Sequence, residues 1–147
     1  MADLARVTEL KDKIQARLPA LPRFLGMTVT VATKDRLVAE LVVQEAHCNG
    51  TDAIHGGALM TLADTLGALG AILNLRAGQI TTTLESKTNF LAAARVGMRI
   101  AAEAVPLHRG RRTQVWETTI RDETGRVVAK VTQTQIVLES DPPAPAG

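Results

Sequence analysis

The sequence predicts an α+β fold in which a long central helix is wrapped by a curved antiparallel sheet. Between residues 56 and 75, apolar side chains fall three and four positions apart, which is the period of a helix. On both sides of this segment the period changes to two, which is typical of β-strands. The remaining helix positions are mostly Ala and Gly, so we infer that neighbouring elements approach this helix closely on several sides.

An additional helix is predicted at the N-terminus, where apolar residues recur at helical spacing between charged ones. These apolar residues are Leu4, Val7, Leu10, Ile14 and Leu18. We expect Pro19 and Pro22 to end this helix, since proline interrupts helical hydrogen bonding. Two alternating, β-branched segments follow at residues 27–33 and 36–45, and the short turn between them predicts a hairpin.

Four further strands are predicted after the central helix. They span residues 79–91, 97–107, 111–121 and 126–138. Because the turns that join them are short, consecutive strands must run antiparallel. The last turn has the sequence DETG and ends on Gly125, where a glycine accommodates a positive φ.

A chain of 147 residues suits a single domain, and no internal repeat or internal linker divides it. We expect an N-terminal helix and linker at residues 1–24 and the main domain at residues 25–139. Residues 140–147 are rich in proline and are expected to be disordered.

Composition limits the classes of partner. Aromatic residues make up 2% of the chain and the net charge is +2, so we expect no nucleic-acid partner, which would need rings or a basic surface. No apolar run approaches the roughly 18 residues of a membrane span, so no membrane association is expected. Cys48 is the only cysteine, which excludes an intrachain disulfide and fits a cytoplasmic protein.

The polar residues best suited to chemistry lie where the second strand leads into the central helix. His55, Gly56 and Gly57 open that helix. Glycine lets a ligand approach the backbone, and the first turn offers free N–H groups at the positive end of the helix dipole. Such a site can stabilise a carbonyl oxygen that gains negative charge during a reaction. The alternative is that the two glycines form only a tight entry turn.

Asp64 is unusual because aspartate is unfavourable inside a helix. Its helical neighbours are apolar or small and include no basic residue, so we expect the carboxylate to be partly desolvated. A carboxylate of this kind suits a general base or a nucleophile. The alternative is an exposed aspartate at a bend in the helix.

The spacing of Gly56 and Asp64 carries a consequence for assembly. They are eight residues apart, which corresponds to roughly 12 Å along a helix. Groups that act on one carbonyl carbon must both lie within hydrogen-bond reach of it, so the two residues cannot serve one site from one helix. We therefore expect a homodimer with antiparallel central helices, in which each site combines both subunits. The far sheet face and the sheet edges also need cover, which favours an oligomer. The assembly that we expect is a homotetramer.

The pattern Asn49-x5-His55-Gly56-Gly57-x6-Asp64 resembles hotdog-fold thioesterases of the phenylacetate-pathway type. The resemblance covers about residues 25–139 and implies a hotdog fold that hydrolyses acyl-CoA. It implies that Asn49 and the backbone N–H of Gly56 polarise the thioester carbonyl, while Asp64 activates water or attacks directly. His55 would shape the loop or contact the sulfur side.

A second part of the resemblance, Thr83-x-Glu85-x3-Asn89-Phe90-Leu91, implies that Thr83 helps to position the water. For substrate binding we predict Gly57, Met60 and Leu84 around the acyl group. The basic turn supplies Arg109, Arg111 and Arg112, whose forked side chains suit the phosphates of coenzyme A. That turn could equally be a solvated charged loop.

No metal and no cofactor apart from the coenzyme A of the substrate are predicted, since the spacing of the His and Cys residues matches no common zinc signature. The acyl group stays open between aryl-acetyl, hydroxybenzoyl and medium-chain groups. Two other functions also stay open at this point. One is a hydratase or dehydratase of enoyl thioesters, with His55 and Asp64 moving the proton. The other is a non-catalytic acyl-CoA-binding protein.

Overall fold

The structure, a computed structural model, describes residues 2–140. Apart from Ser140, the predicted disordered tail at residues 140–147 lies outside the described residues. The described part contains three α-helices, one short 3₁₀-helix at Glu45–His47 and six strands. The helices are α1 (Ala2–Ala16), α2 (Ala20–Phe24) and α3 (Gly56–Leu73). The strands are β1 (Thr28–Ala32), β2 (Leu37–Val42), β3 (Gln79–Phe90), β4 (Arg99–Arg109), β5 (Thr113–Asp122) and β6 (Val127–Glu139).

The six strands form one antiparallel sheet in the order β1-β2-β4-β5-β6-β3. The central helix α3 contacts five of these strands, β2 to β6, so the sheet curves around it. The predicted architecture of a long helix wrapped by a curved antiparallel sheet is therefore confirmed. The turn before β6 also agrees with its prediction, since Gly125 has a φ of 86° and donates its N–H to Asp122.

The small residues of α3 are explained by contacts with the sheet. A Cβ atom on Gly67 would lie 2.8 Å from the side-chain amide of Gln133 on β6. A Cβ atom on Gly70 would lie 2.7 Å from the indole ring of Trp116 on β5. Both separations are shorter than real Cβ contacts, so an added Cβ at either position would force the facing side chain or the helix to move.

The two edges of the sheet differ in their protection. Helix α1 packs along the β1 edge, where the Gln15 side chain donates to the Met27 carbonyl (3.2 Å) and accepts from the Val29 N–H (2.7 Å). At the opposite edge, β3 pairs only with β6 among the described residues. An unpaired edge of this length is a template for pairing with another chain.

The region predicted as an N-terminal helix and linker, residues 1–24, contains a second short helix, α2. Pro19 is the N-cap of α2, and Pro22 is buried within it. Proline is tolerated in a first helical turn because its missing N–H would have no helical acceptor there.

Helix α3 has the length and mean hydropathy, 1.4, of a membrane span. Its buried face packs against the sheet, as in the core helix of a globular domain.

Candidate active site

Asp64 lies in the middle of α3 and is bound by two side chains from the sheet. Its Oδ1 atom accepts hydrogen bonds from the Thr83 hydroxyl on β3 (2.9 Å) and from Nε2 of Gln133 on β6 (2.9 Å). Its second oxygen, Oδ2, accepts no hydrogen bond from the described residues. The carboxylate is exposed in the single chain, so the expected partial desolvation is not provided by this chain alone.

Two glutamines of β6 extend the network behind Asp64. Gln133 and Gln135 are both buried, at 2% and 0% exposure, and both donate to the Thr83 hydroxyl, at 3.2 and 2.8 Å. The sequence reasoning brought Thr83 and Asp64 into one site but missed both glutamines. The sequence did contain a sign of their role. Gln133 and Gln135 follow the buried Val131 at alternate, inward-facing positions of β6, and such positions usually carry apolar side chains.

The entry to α3 is organised by His55. This residue is the N-cap of the helix, and its Nδ1 atom accepts a hydrogen bond from the Gly57 N–H (2.8 Å). The Gly57 N–H is therefore occupied. The Gly56 N–H has no acceptor among residues 2–140, and the ring of Phe90 lies beside it, 2.9 Å from where a Cβ would be. One free backbone donor thus remains at the positive end of the helix.

Asn49 lies in the entry loop with its side chain exposed and oriented. Its Oδ1 atom accepts from the N–H (3.2 Å) and the hydroxyl (2.7 Å) of Thr51, while its own N–H donates to the Ala53 carbonyl (3.1 Å). Because both contacts need an acceptor, they identify the oxygen end of the Asn49 amide and leave Nδ2 as its donor end. The Nδ2 group has no partner among the described residues and is the end available to a ligand.

The two halves of the candidate site are separated within one chain. Strand β3 runs beside α3 in the opposite direction, with Thr83 next to Asp64 and Phe90 next to Gly56. Along the helix, Gly56 and Asp64 are about 12 Å apart. The chain therefore assembles a carboxylate half and a donor half, and it does not bring them together.

Two depressions meet at Asp64. The first is an apolar groove of about 280 Å³ between α2 and α3. It is lined by Pro19, Leu21, Pro22, Thr61, Asp64, Thr65, Ala68, Leu69 and Ile72. The second is a cleft of about 200 Å³ between α3 and β3, lined by Met60, Thr61, Asp64 and Ser86. Met60 thus borders Asp64 as expected, whereas Leu84 is exposed at an irregularity in the β3–β6 register and lines neither depression.

The predicted phosphate-binding arginines lie at the far end of α3. Arg109 forms an ion pair with Asp35 (2.7 Å) and donates to the Lys34 carbonyl and to the side chain of Asn74, both at 3.1 Å. Its guanidinium is therefore largely occupied. Arg111 and Arg112 are exposed, and their side chains make no hydrogen bond or ion pair with the described residues. These two are the better candidates for an anionic ligand.

Comparison with known proteins identifies the family. Residues 52–129, which are more than half of the chain, match the family described as the thioesterase superfamily. The chain belongs to the thioesterase superfamily. A similar curated protein is the 1,4-dihydroxy-2-naphthoyl-CoA hydrolase of Listeria monocytogenes, which is 32% identical over 108 residues, 74% of this chain and 87% of that protein.

Solved structures of relatives agree with this assignment. The thioesterase HI1161 of Haemophilus influenzae superposes with a TM-score of 0.81 at 25% identity, covering 94% of each chain. The PaaI protein of the phenylacetic acid degradation operon of Escherichia coli has the same fold, with a TM-score of 0.79 at 22% identity, covering 89% of this chain and 93% of that one. The predicted hotdog thioesterase resemblance and the assignment as a thioester hydrolase are confirmed.

Proposed function

We propose that this superfamily member hydrolyses acyl-CoA thioesters to a free acid and coenzyme A, with Asp64 as the reacting carboxylate. The observation that carries the proposal is the position of Asp64, held at Oδ1 by Thr83 and Gln133 at the meeting point of two depressions. A positioned carboxylate beside an apolar groove is suited to act on an acyl group. The name of the Listeria relative, a CoA ester hydrolase, supports the substrate class.

The reaction needs a polarised carbonyl and a nucleophile. The thioester carbonyl accepts hydrogen bonds from the Gly56 N–H and from Nδ2 of Asn49, the two donors left free by the helix entry. In one route, water adds to the carbonyl carbon and gives its proton to Asp64, the C–S bond breaks, and the thiolate takes up the proton. In the other route, Asp64 attacks the carbon, the C–S bond breaks and an anhydride forms with release of the thiolate. Water then cleaves the anhydride to the free acid and the Asp64 carboxylate, and the proton released goes to the thiolate. Neither route needs a metal or a further cofactor.

The proposed active unit is a homodimer. The β1 edge is covered through Gln15, whereas the 12-residue strand β3 has an open edge among the described residues. Large apolar side chains are exposed next to that edge and on the free face of α3. These residues are Met60, Ile72, Ile80, Leu84 and Phe90. Pairing of two β3 edges about a twofold axis would bring two α3 helices together antiparallel, so that Gly56 of one subunit serves Asp64 of the other.

Further parts of the proposal concern the substrate and the setting. We assign the acyl group to the apolar groove between α2 and α3 and to the neighbourhood of Met60, and the phosphates of coenzyme A to Arg111 and Arg112. Leu84 contributes through the dimer rather than within one chain. Pairing of such dimers into a tetramer would cover the outer sheet face, where Val42 and Leu138 are exposed. A cytoplasmic location fits the lone Cys48, which makes an intrachain disulfide impossible.

The direct test is the variant Asp64→Asn in a thiol-release assay over a panel of aryl-acetyl, hydroxybenzoyl and medium-chain acyl-CoA substrates. Loss of the basic oxygen should lower kcat by about 10²–10⁴-fold, the range for general acid–base catalysis, with little change in KM. The matched control is Glu123→Gln, which neutralises an exposed carboxylate in the turn between β5 and β6, away from α3 and β3. An Asp64→Asn enzyme with wild-type kcat would contradict the assignment.

Shared sites can be tested by subunit complementation. Asn49→Ala and Asp64→Ala each disable one half of the site, so each homodimer should be nearly inactive. After mixing and subunit exchange, half of the dimers are mixed and each has one intact site, so about a quarter of the wild-type rate should return. If mixing restores no activity although exchange is demonstrated, the two halves act within one chain or not at all.

A further inference from the structure

We infer that Gln133 is a positioning residue that fixes the Asp64 carboxylate through Oδ1 and thereby makes Oδ2 the reacting oxygen. The inference rests on the proposed function, since it concerns the same carboxylate. It rests on the pattern of hydrogen bonds between α3, β3 and β6 and on one buried atom that has no partner.

The side-chain amide of Gln133 is directed at Asp64 from behind. Its Nε2 lies 2.9 Å from Oδ1 of Asp64, 3.3 Å from the backbone carbonyl of Asp64 and 3.2 Å from the Thr83 hydroxyl. An ionised carboxylate and a carbonyl can only accept, so the donor end of the amide must point towards them. Two of these contacts are to one residue, and they restrain both its side chain and its backbone.

The other end of the same amide has no partner. Oε1 of Gln133 is buried without a hydrogen bond, and it faces Gly67, where a Cβ atom would lie 2.8 Å away. A buried acceptor without a donor is unfavourable, and an apolar side chain of the same length would avoid this penalty. The presence of an amide here is therefore explained by its donor end, which holds Asp64, and not by a contribution to stability.

The Thr83 hydroxyl takes part in the same support. It gives its single hydrogen to Oδ1 of Asp64, and it accepts from Gln133 and Gln135. The hydroxyl thus has partners within the chain for its donor and for its acceptor side. The Thr81 hydroxyl lies 3.1 Å from Oε1 of Gln135 and shares its single hydrogen with the Ile136 carbonyl (2.8 Å). Thr83 therefore helps to position the carboxylate in this proposal, and its expected role in positioning water stays a prediction.

The result is an asymmetric carboxylate. Oδ1 accepts two hydrogen bonds from the sheet, and Oδ2 accepts none from residues 2–140. Because Oδ1 already accepts two hydrogen bonds, proton uptake or attack on a carbonyl falls to Oδ2. A carboxylate that could rotate about its Cβ–Cγ bond would present the two oxygens alternately and lose this alignment.

The test is the near-isosteric variant Gln133→Met in the full-length enzyme with a good acyl-CoA substrate. We expect kcat to fall by about 10–100-fold with KM within twofold, because loss of alignment acts on the transition state. The midpoint of thermal unfolding should stay the same or rise, because the unpaired acceptor is removed. The control Thr118→Val removes a hydroxyl from a buried residue of β5 that makes no hydrogen bond with Asp64, and kcat should not change.

A double variant separates positioning from a general structural role. In the Asp64→Ala background, Gln133→Met should cause no further loss of the residual rate, because its target is gone. The inference would be overturned by an additional loss of tenfold or more in that background, or by an unchanged kcat in the Gln133→Met single variant. The proposed function would still stand in either case, because it depends on the Asp64→Asn result. Absence of thiol release by the wild-type enzyme would instead reject the proposed function.

Gly67→Ala provides an independent route that keeps Gln133 in place. The new Cβ would overlap the Gln133 amide, which must move away from Asp64. The same loss of kcat without a change in KM is expected, even if Gln133→Met does not fold. Wild-type kcat for a folded Gly67→Ala enzyme would also overturn the inference.

Discussion

The contact between Gly70 and Trp116 yields a stability prediction whose sign opposes helix propensity. A Cβ atom on Gly70 would lie 2.7 Å from Cη2 and Cζ3 and 2.8 Å from Cε3 of the indole. Trp116 is fully buried, and its Nε1 donates to Oε1 of Gln114 (3.1 Å), so the ring cannot shift freely. Overpacking of this kind costs about 1–3 kcal/mol, whereas replacing glycine by alanine inside a helix gains about 1 kcal/mol.

We therefore expect Gly70→Ala to lower the free energy of unfolding by up to about 2 kcal/mol, which corresponds to a decrease in Tm of up to about 8 °C. The assay is thermal and urea unfolding followed by far-UV circular dichroism at one fixed protein concentration, since oligomers unfold in a concentration-dependent way. Trp116 is the only tryptophan, so its fluorescence gives a second readout for the variants that retain it.

The matched background is Trp116→Phe, in which a smaller ring no longer reaches the added methyl group. In that background Gly70→Ala should be neutral or stabilising, because only the gain in helix propensity remains. An increase in stability for Gly70→Ala in the wild-type background, as propensity alone predicts, would refute the packing argument. An equal loss in both backgrounds would refute the assignment of the clash to the indole.

Two further predictions concern charged groups away from Asp64. Hydrogen bonds, first that from the Thr124 hydroxyl and then those from backbone N–H groups and Arg126, hold the pKa of the Asp122 carboxyl below its ordinary value. The Asp122 carboxylate therefore contributes its full stabilisation above the ordinary pKa, and this contribution is lost as the pH falls through the lower pKa of the folded state. Asp122→Asn should lower the urea midpoint at pH 7, and the difference in midpoint between wild type and variant should vanish in acid. Replacing Arg111 and Arg112 together by glutamine should raise KM for acyl-CoA by about 5–10-fold at low salt with kcat unchanged, and should leave KM for an acyl-pantetheine, which lacks the nucleotide phosphates, unaltered.

The elements of this fold follow from local patterns in the sequence. The helical period between residues 56 and 75 corresponds to α3 at Gly56–Leu73, and the period of two marked all six strands within a few residues of their observed ends. These patterns are reliable because each element buries one face, and burial selects the residue type at every third or second position. Helix α2 was missed because Pro19 and Pro22 suggest a break, although Pro19 is only its N-cap and Pro22 lies in the first helical turn, where proline is tolerated.

The candidate site was only partly accessible from the sequence. Asp64, His55 and Gly56 were identified because each is unusual at its place in a helix or at its start. Gln133 and Gln135 were not identified, since they lie about 70 residues beyond Asp64 and carry no catalytic signature. Their importance comes from the neighbours that the sheet gives them.

By itself, the sequence determined which residues face the core, where the helix dipole offers a free donor, and that Gly56 and Asp64 are too far apart on one helix to share a site. Only the tertiary structure decided the partners of the carboxylate. The pairing of β3 with β6, with its irregular register between Thr83 and Glu85, places the Thr83 hydroxyl against Gln135 and beside Gln133. That register results from long-range strand pairing, in which a shift of one residue would turn every side chain to the other face, and no local pattern encodes it.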